Sequence, residues 1–370
     1  MPRQLTAIDL FAGAGGLSAG LQAAGFRILS AVERDPQAAA TYALNHDDSG
    51  VVMVPKDVFD VSAAELLGRR SSVDLIAAGP PCTGFSINGQ RRSDHPSNAL
   101  LQEVVRLVDE VKPKAVLIEN VVGLTSMSRG YFFDRLITAL ERIKLDDGGR
   151  YEVDYTVLNA AEFGGPQNRR RLFIVSMEPG RQWEWPTPTT KAGEVTLWDA
   201  IADLPGRAVT PGAIAMYRPN VEPSAYAAAL RNGSDNVLNH HTKRLQETRR
   251  KRFRALKPGQ DRRHLPEELQ AGGHPGKYRR LRADQPSPTL MAHMGKDLSD
   301  FIHPRLQRSL TAREAARIQG FHDSYEFMGS QASQLVQVGN AVPVQLGKAL
   351  GEQMVSVLTS RRRPSRGSRT

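Results

Sequence analysis

Thr6-Ala7-Ile8-Asp9-Leu10-Phe11-Ala12-Gly13-Ala14-Gly15-Gly16-Leu17 is the stretch that decides the architecture of this chain. Its apolar run to Phe11 reads as a buried strand, and its glycines let the backbone turn sharply and approach a ligand closely. Glu33 closes the next strand-like run about 20 residues later, where an acidic side chain binds ribose hydroxyls. A dinucleotide fingerprint needs a third glycine, but Ser18 stands there. A nucleoside without a pyrophosphate is therefore the better ligand. Asp57, after the third strand, is placed to accept a hydrogen bond from an adenine amino group. Taken alone, the motif also reads as an ordinary strand-to-helix turn.

The same alternation continues outward. Strands are expected at Thr6–Phe11, Ile28–Glu33, Val51–Val54, Val73–Ala78, Ala115–Glu119, Val153–Leu158 and Arg171–Ser176. Helices are expected at Leu17–Ala24, Pro36–Asn45, Ala63–Leu67, Asn98–Val111 and Tyr131–Ile143. Strands separated by helices imply right-handed crossovers and an α/β fold with a mostly parallel sheet covered on both faces. Ligand residues then gather beyond the strand C-termini. From about Glu178 to Arg305 the regularity fades into a Pro-, Gly-, His- and Arg-rich, loop-rich domain. Order returns at Thr311, an N-cap with Glu314 three residues on and Gly320 as a stop. Pro343 suits the first turn of a helix over Val344–Leu358.

Composition sets outer bounds. A length of 370 residues, 40% of them hydrophobic, suffices for two domains with buried cores. No run of about 18 apolar residues appears, so no membrane span is expected. The N-terminal residues lack a signal peptide's small-residue cleavage site, which points to the cytoplasm. One cysteine excludes an intramolecular disulfide and a multi-cysteine zinc site. A net charge of +10 favours a polyanionic partner. Basic residues crowd Lys243 to Arg263, and residues 361–370 read as a disordered basic tail.

Cys82 lies in Gly79-Pro80-Pro81-Cys82-Thr83-Gly84-Phe85-Ser86, after an apolar strand. Most cysteines are small buried hydrophobes, but this one sits in a Pro/Gly loop at the ligand edge of the sheet. A nucleophilic thiolate needs positive charge nearby. Glu119-Asn120-Val121 ends the next strand and offers a carboxylate for proton handling, or a salt-bridged strand terminus. Gln167-Asn168-Arg169-Arg170-Arg171 supplies cations, or a solvated charge cluster; alternation puts Arg169 and Arg171 on one side.

The ordered set DLFAGAGGL, Glu33, Asp57, GPPCTGFS, ENV, QNRRR, LTAREAARIQGF and VGNAVP resembles the DNA (cytosine-5) methyltransferases, bacterial restriction–modification type, from Asp9 to about Leu350. The resemblance implies a Rossmann-like catalytic domain over 1–178 and 306–360, with a smaller target-recognition domain over 179–305. It implies S-adenosylmethionine on Phe11, Gly13, Ala14, Gly16, Leu17, Glu33, Arg34, Asp57, Val58, Gly79, Pro81, Leu100, Asn340 and Ala341. The catalytic set it implies is Cys82, Glu119, Arg169 and Arg171. Cys82 would add to cytosine C6, making C5 enamine-like. Glu119 would handle a proton at N3, and the arginines would favour the thiolate and bind the base carbonyl or a phosphate.

Stacked DNA hides these atoms, so the cytosine must flip out, with Ser86–Arg92 as a lid. Double-stranded DNA is the expected partner, a cognate restriction endonuclease a candidate one, and the enzyme is expected to be a monomer. The basic run 243–263 is expected to grip phosphates, and loops 272–278 and 286–290 to meet base edges or serve as structural turns. No metal is expected, at Asn239–His241 or elsewhere. A tRNA cytosine-5 methyltransferase and a non-catalytic DNA-binding homologue are the alternatives. An NAD-linked oxidoreductase fits poorly, given Ser18 and the PPC and ENV blocks.

Overall fold

The computed structural model describes residues 3–47, 50–81, 97–243, 245–270, 272–274, 276–297 and 300–362. They form two compact units, one of 1–159, 170–187 and 346–370, the other of 160–169 and 188–345.

The first unit is built on a seven-stranded sheet. Its strands are β1 (Thr6–Leu10), β2 (Arg27–Val32), β3 (Val52–Val54), β4 (Leu75–Ala78), β5 (Ala115–Asn120), β6 (Glu152–Asn159) and β7 (Arg170–Met177). The order is β3-β2-β1-β4-β5-β7-β6. The first five strands pair in parallel, and β7 slots between β5 and β6, antiparallel to both. All seven expected strands are present, within two residues at each end.

The helices are α1 (Gly16–Ala23), α2 (Pro36–His46), α3 (Ala63–Leu67), α4 (Ser97–Val111), α5 (Tyr131–Arg142) and α6 (Val344–Thr359). Sequence chemistry fixes their ends. Asp35 caps α2 by accepting from the backbone of Gln37 and Ala38, with Pro36 in the first turn. At the other end of the chain, Arg181 donates to the carbonyls of Val357, Leu358 and Ser360, which close α6.

Alternation along the strands sorts the two faces. Ile8, Leu10, Ile76, Ala78, Val116 and Ile118 share one core with Leu66, Leu101, Val104, Leu107, Leu136 and Leu140 of α3, α4 and α5. The intervening residues, such as Asp9, face the other side. There Asp9 bonds Ser18 of α1, which in turn bonds Tyr42 of α2. Central strands buried on both faces explain the continuous apolar runs in the sequence.

The strand order reverses between β1 and β4. The chain winds one way through β1, β2 and β3, then restarts at β4 and winds the other way through β5. Leu10 pairs with Ala78 at the C-terminal ends of β1 and β4, so the glycine turn and the Gly79-Pro80-Pro81 loop leave the sheet side by side. Such a reversal opens a ligand crevice.

The second unit has short elements, and one of its apolar clusters joins Phe253, Leu256, Leu265, Tyr278 and Ile302. Helix Ala312–Ile318 carries the expected capping box of Thr311 and Glu314, and Gly320 follows it at φ +85°. Buried ion pairs accompany the apolar packing. Arg317 is wholly buried, paired with Asp203 and Asp323, and Glu314 is buried against Arg308. Among the described residues, no helix is long and apolar enough to cross a membrane.

Candidate active site

At the end of β1, Phe11 takes φ +60°, followed by Gly13 at +56° and Gly15 at +89°. A bulky residue in the left-handed region is uncommon and carries strain. The turn is held by Ala12 N donating to the Val32 carbonyl and Gly15 N to that of Ala12, both at 2.9 Å. Glu33 is central to it. One carboxylate oxygen accepts from Gly13 N at 2.9 Å, the other from Asp35 N at 2.7 Å. Each oxygen keeps a lone pair for a further donor. Burial pushes the Glu33 carboxyl above its usual range, against the lowering effect of those N–H groups. A Cβ on Gly13 would meet nothing within 4 Å, so the turn faces open space. A half-buried acceptor beside an open glycine turn fits the hydroxyls of an adenosyl group.

Beneath the turn lies a network that sequence reasoning missed. Ser18 donates to Asp9 at 2.6 Å and accepts from the Tyr42 hydroxyl at 2.8 Å. Burial pushes the Asp9 carboxyl up to about 7, with the Ser18 hydrogen bond opposing and the Glu33 charge adding to the rise. Ser18 thus fills the third-glycine position with a hydroxyl that the core uses. Around the turn, Ala14, Gly16, Leu17, Val58 and Leu100 are buried. Arg34 pairs with Asp57 at 3.1 Å, and Asp57 also caps the 3-10 turn Val58–Asp60. Pro81 is exposed.

Across the crevice, Glu119 and Arg171 meet. Arg171 Nε lies 3.0 Å from Glu119 Oε1, with both side chains largely buried. The antiparallel insertion of β7 makes this contact, because it returns the start of β7 to the C-terminal end of β5. Asn120 donates to the Pro80 carbonyl at 3.3 Å and accepts from Val121 N at 2.9 Å, tying the end of β5 to the loop before Cys82. A Cβ on Gly79 would lie 3.9 Å from the Phe11 carbonyl and 4.0 Å from Glu119 Oε2. Gly79 therefore sits between the glycine turn and the carboxylate. Cys82 itself, and the expected lid Ser86–Arg92, lie outside the described residues.

Arg169 behaves differently from Arg171. It belongs to the second unit, is buried, and donates to the carbonyls of Leu290 at 2.7 Å and Gly339 at 3.1 Å. The same node holds Gln167, which donates to Gln319 at 2.9 Å and accepts from Leu290 N at 2.7 Å. Gln319 donates onward to the carbonyls of Val338 and Ala341. Four motifs distant in sequence (QNR, PSPTL, RIQG and VGNA) thus converge on one buried polar knot. Asn340 is exposed and Ala341 buried in this unit.

His240 is a framework residue, and His241, next to it in sequence, is buried. His240 contacts the Pro205 carbonyl and the Thr311 hydroxyl through its two ring nitrogens, and burial lowers its pKa. The basic run is mixed. Arg252 donates to the carbonyls of Leu269 and Gln270, whereas Lys251 and Arg254 are exposed on helix Glu247–Ala255. Of the tail, Arg361 and Arg362 are described, and Arg362 donates to the Pro179 carbonyl.

The sequence profile of the C-5 cytosine-specific DNA methylases matches residues 5–356. The chain belongs to the C-5 cytosine-specific DNA methylases. It is therefore an enzyme that acts on DNA, a DNA cytosine-5-methyltransferase. It is 36% identical to the Type II methyltransferase M.AgeI of Thalassovita gelatinovora, over 93% of this chain and 98% of that one. It is also 36% identical to the Type II methyltransferase M.DdeI of Desulfomicrobium norvegicum, over 94% of this chain and 88% of that one. Among solved structures, a prophage-encoded Escherichia coli protein described as a DNA modification methyltransferase superposes with TM-score 0.76 at 25% identity, covering 96% of this chain and all of the other. The Schizosaccharomyces pombe Dnmt2 methyltransferase, at 17% identity and TM-score 0.55 over 96% of this chain and 100% of its own, shares the methylase fold. Methylases of this family use S-adenosylmethionine.

Proposed function

We propose that this methylase transfers a methyl group to C5 of a flipped-out cytosine within a specific duplex sequence, through a covalent bond between Cys82 and C6. The observation that carries this reading is the Glu119–Arg171 contact beside the loop that leads to the chain's one cysteine. S-adenosylmethionine, when bound, supplies an electrophilic methyl group. The glycine turn with Phe11, Gly13, Ala14, Gly16 and Leu17 would hold it, Glu33 taking the ribose hydroxyls and Asp57 the adenine amino group. Arg34, Val58, Gly79, Pro81, Leu100, Asn340 and Ala341 complete the proposed contacts.

The chain's own chemistry follows from charge. The Cys82 thiolate forms a bond to C6, and electron density moves through the ring toward N3. Glu119 places a proton at N3, so the charge is never fully developed. Arg171 holds Glu119 in position and, with the proposed help of Arg169, favours the thiolate and steadies the base. C5 then takes up the methyl, the C5 proton is lost, and the Cys82–C6 bond breaks. The target must leave the stack for Cys82 to reach C6.

Catalysis is assigned to 1–178 and 306–360 and recognition to 179–305, with a basic tail at 361–370. The similarity to Type II methyltransferases supports a role as the modification half of a restriction–modification system, alongside a cognate endonuclease. The enzyme would act as a monomer on cellular DNA in the bacterial cytoplasm. The test is transfer of labelled methyl groups to duplex DNA and to tRNA, followed by bisulfite sequencing of the DNA. Methylation of one cytosine in a defined sequence is expected; labelling of tRNA alone would refute the proposal.

A further inference from the structure

His274, His293 and Asp300, in the second unit, offer three ligand atoms that all lie within 4.8 Å of one another. They come from three separate segments. His274 precedes strand Arg279–Arg280, His293 precedes helix Met294–Asp297, and Asp300 precedes strand Phe301–Ile302. His274 Nε2 is 2.9 Å from Asp300 Oδ1, and His293 Nε2 is 2.9 Å from Oδ2. The two imidazoles meet edge to face, 5.0 Å between centroids.

Two features distinguish this cluster from an ordinary ion pair. Asp300 is nearly buried at 4% side-chain exposure, and among the described residues its ion-pair partners are these two imidazoles. A buried carboxylate needs a counter-charge or a full set of hydrogen bonds. Second, His293 Nε2 and Asp300 Oδ2 are buried and 2.9 Å apart, yet among the described residues neither has a hydrogen-bond partner. Two donors that aim lone pairs at a shared cation sit in this way. With metal–ligand bonds of about 2.0 Å, the edge of a tetrahedral site is about 3.3 Å.

We propose that His274, His293 and Asp300 bind a divalent cation of the zinc class, with a water or other external donor in the fourth position. Imidazole and carboxylate donors in this number suit zinc. The ion would clamp three separate segments of the second unit, where the adjoining strands are only two residues long. Two of the ligands flank one ladder, since Arg279 N donates to the Asp300 carbonyl and Arg280 pairs with Ile302. The site lies among residues proposed to recognise the target, so it would brace recognition without entering the methyl-transfer chemistry.

The test uses tag-free, full-length enzyme stripped with chelator, then loaded with zinc chloride and desalted. One zinc per chain is expected by elemental analysis, together with a rise in Tm on loading. Cobalt chloride should give tetrahedral visible bands without a thiolate charge-transfer band, since no cysteine takes part. His293→Gln keeps an amide that can donate to Asp300 but removes the ligand. It should match the wild-type Tm in chelator, lose the zinc-dependent rise, and bind zinc at least ~10–100-fold more weakly, the loss that even an outer-shell change causes. Wild-type enzyme that retains no zinc overturns the proposal whatever the variants do. Wild-type affinity in both His293→Gln and His274→Gln overturns it too.

Discussion

At the residue scale, Arg171 engages Glu119 Oε1 through Nε, while Oε2 lies on the side of Gly79. A carboxylate held by one oxygen keeps the other for a proton. Glu119→Gln should therefore lower the single-turnover methyl-transfer rate by about 10²–10⁴-fold, with S-adenosylmethionine affinity unchanged in a binding assay. Arg171→Lys should also lose rate, because an ammonium lacks the planar guanidinium geometry. Cys82 and Glu119 were legible as candidates because unusual residue types stood at strand ends, where an α/β sheet places its ligands. Arg169 was less so. Alternation grouped it with Arg171, but its carbonyl partners lie 121 and 170 residues away in sequence. Local spacing carries no information about partners at that distance.

Elements show the same division. The strands and helices of the first unit were readable because central parallel strands are continuous apolar runs and caps have local signatures. The two-residue strands of the second unit, such as Gln167–Asn168 pairing with Ser287–Pro288, have no periodicity to read. Their order comes from buried polar ties, which tolerate little change. A Cβ on Gly339 would lie 2.6 Å from backbone atoms of Met291 and Ala292. Gly339→Ala should thus cost about 1–3 kcal/mol, seen as a lower Tm.

The join of β1 to α1 makes a pH prediction. Unfolded Asp9 ionises near its ordinary value, about 3.9, whereas the folded carboxyl keeps its proton until about 7. Between those values unfolding releases a proton, so rising pH favours the unfolded chain. The penalty is absent below about 4 and complete above about 7, on the order of 4 kcal/mol. Asp9→Asn removes it, so its stability relative to wild type should rise across that window in urea unfolding. A constant difference would contradict the buried-acid account.

For the whole molecule, the charge of +10 and the exposed cations of helix Glu247–Ala255 predict salt-sensitive DNA binding. Lys251→Ala with Arg254→Ala should flatten the slope of log affinity against log salt by as much as about 1.8, if each side chain neutralises one phosphate. The affinity ratio of specific to nonspecific DNA should change little, since phosphate contacts position rather than specify. Periodicity fades after Glu178, whereas the second unit comprises 160–169 and 188–345, and no motif in the proposed recognition domain encodes which bases it would read. The chemistry, by contrast, converges on one atom. The most direct test is labelled methyl transfer to duplex DNA by Cys82→Ser: the account predicts no transfer with S-adenosylmethionine binding largely intact, and an active Cys82→Ser enzyme would contradict the covalent mechanism.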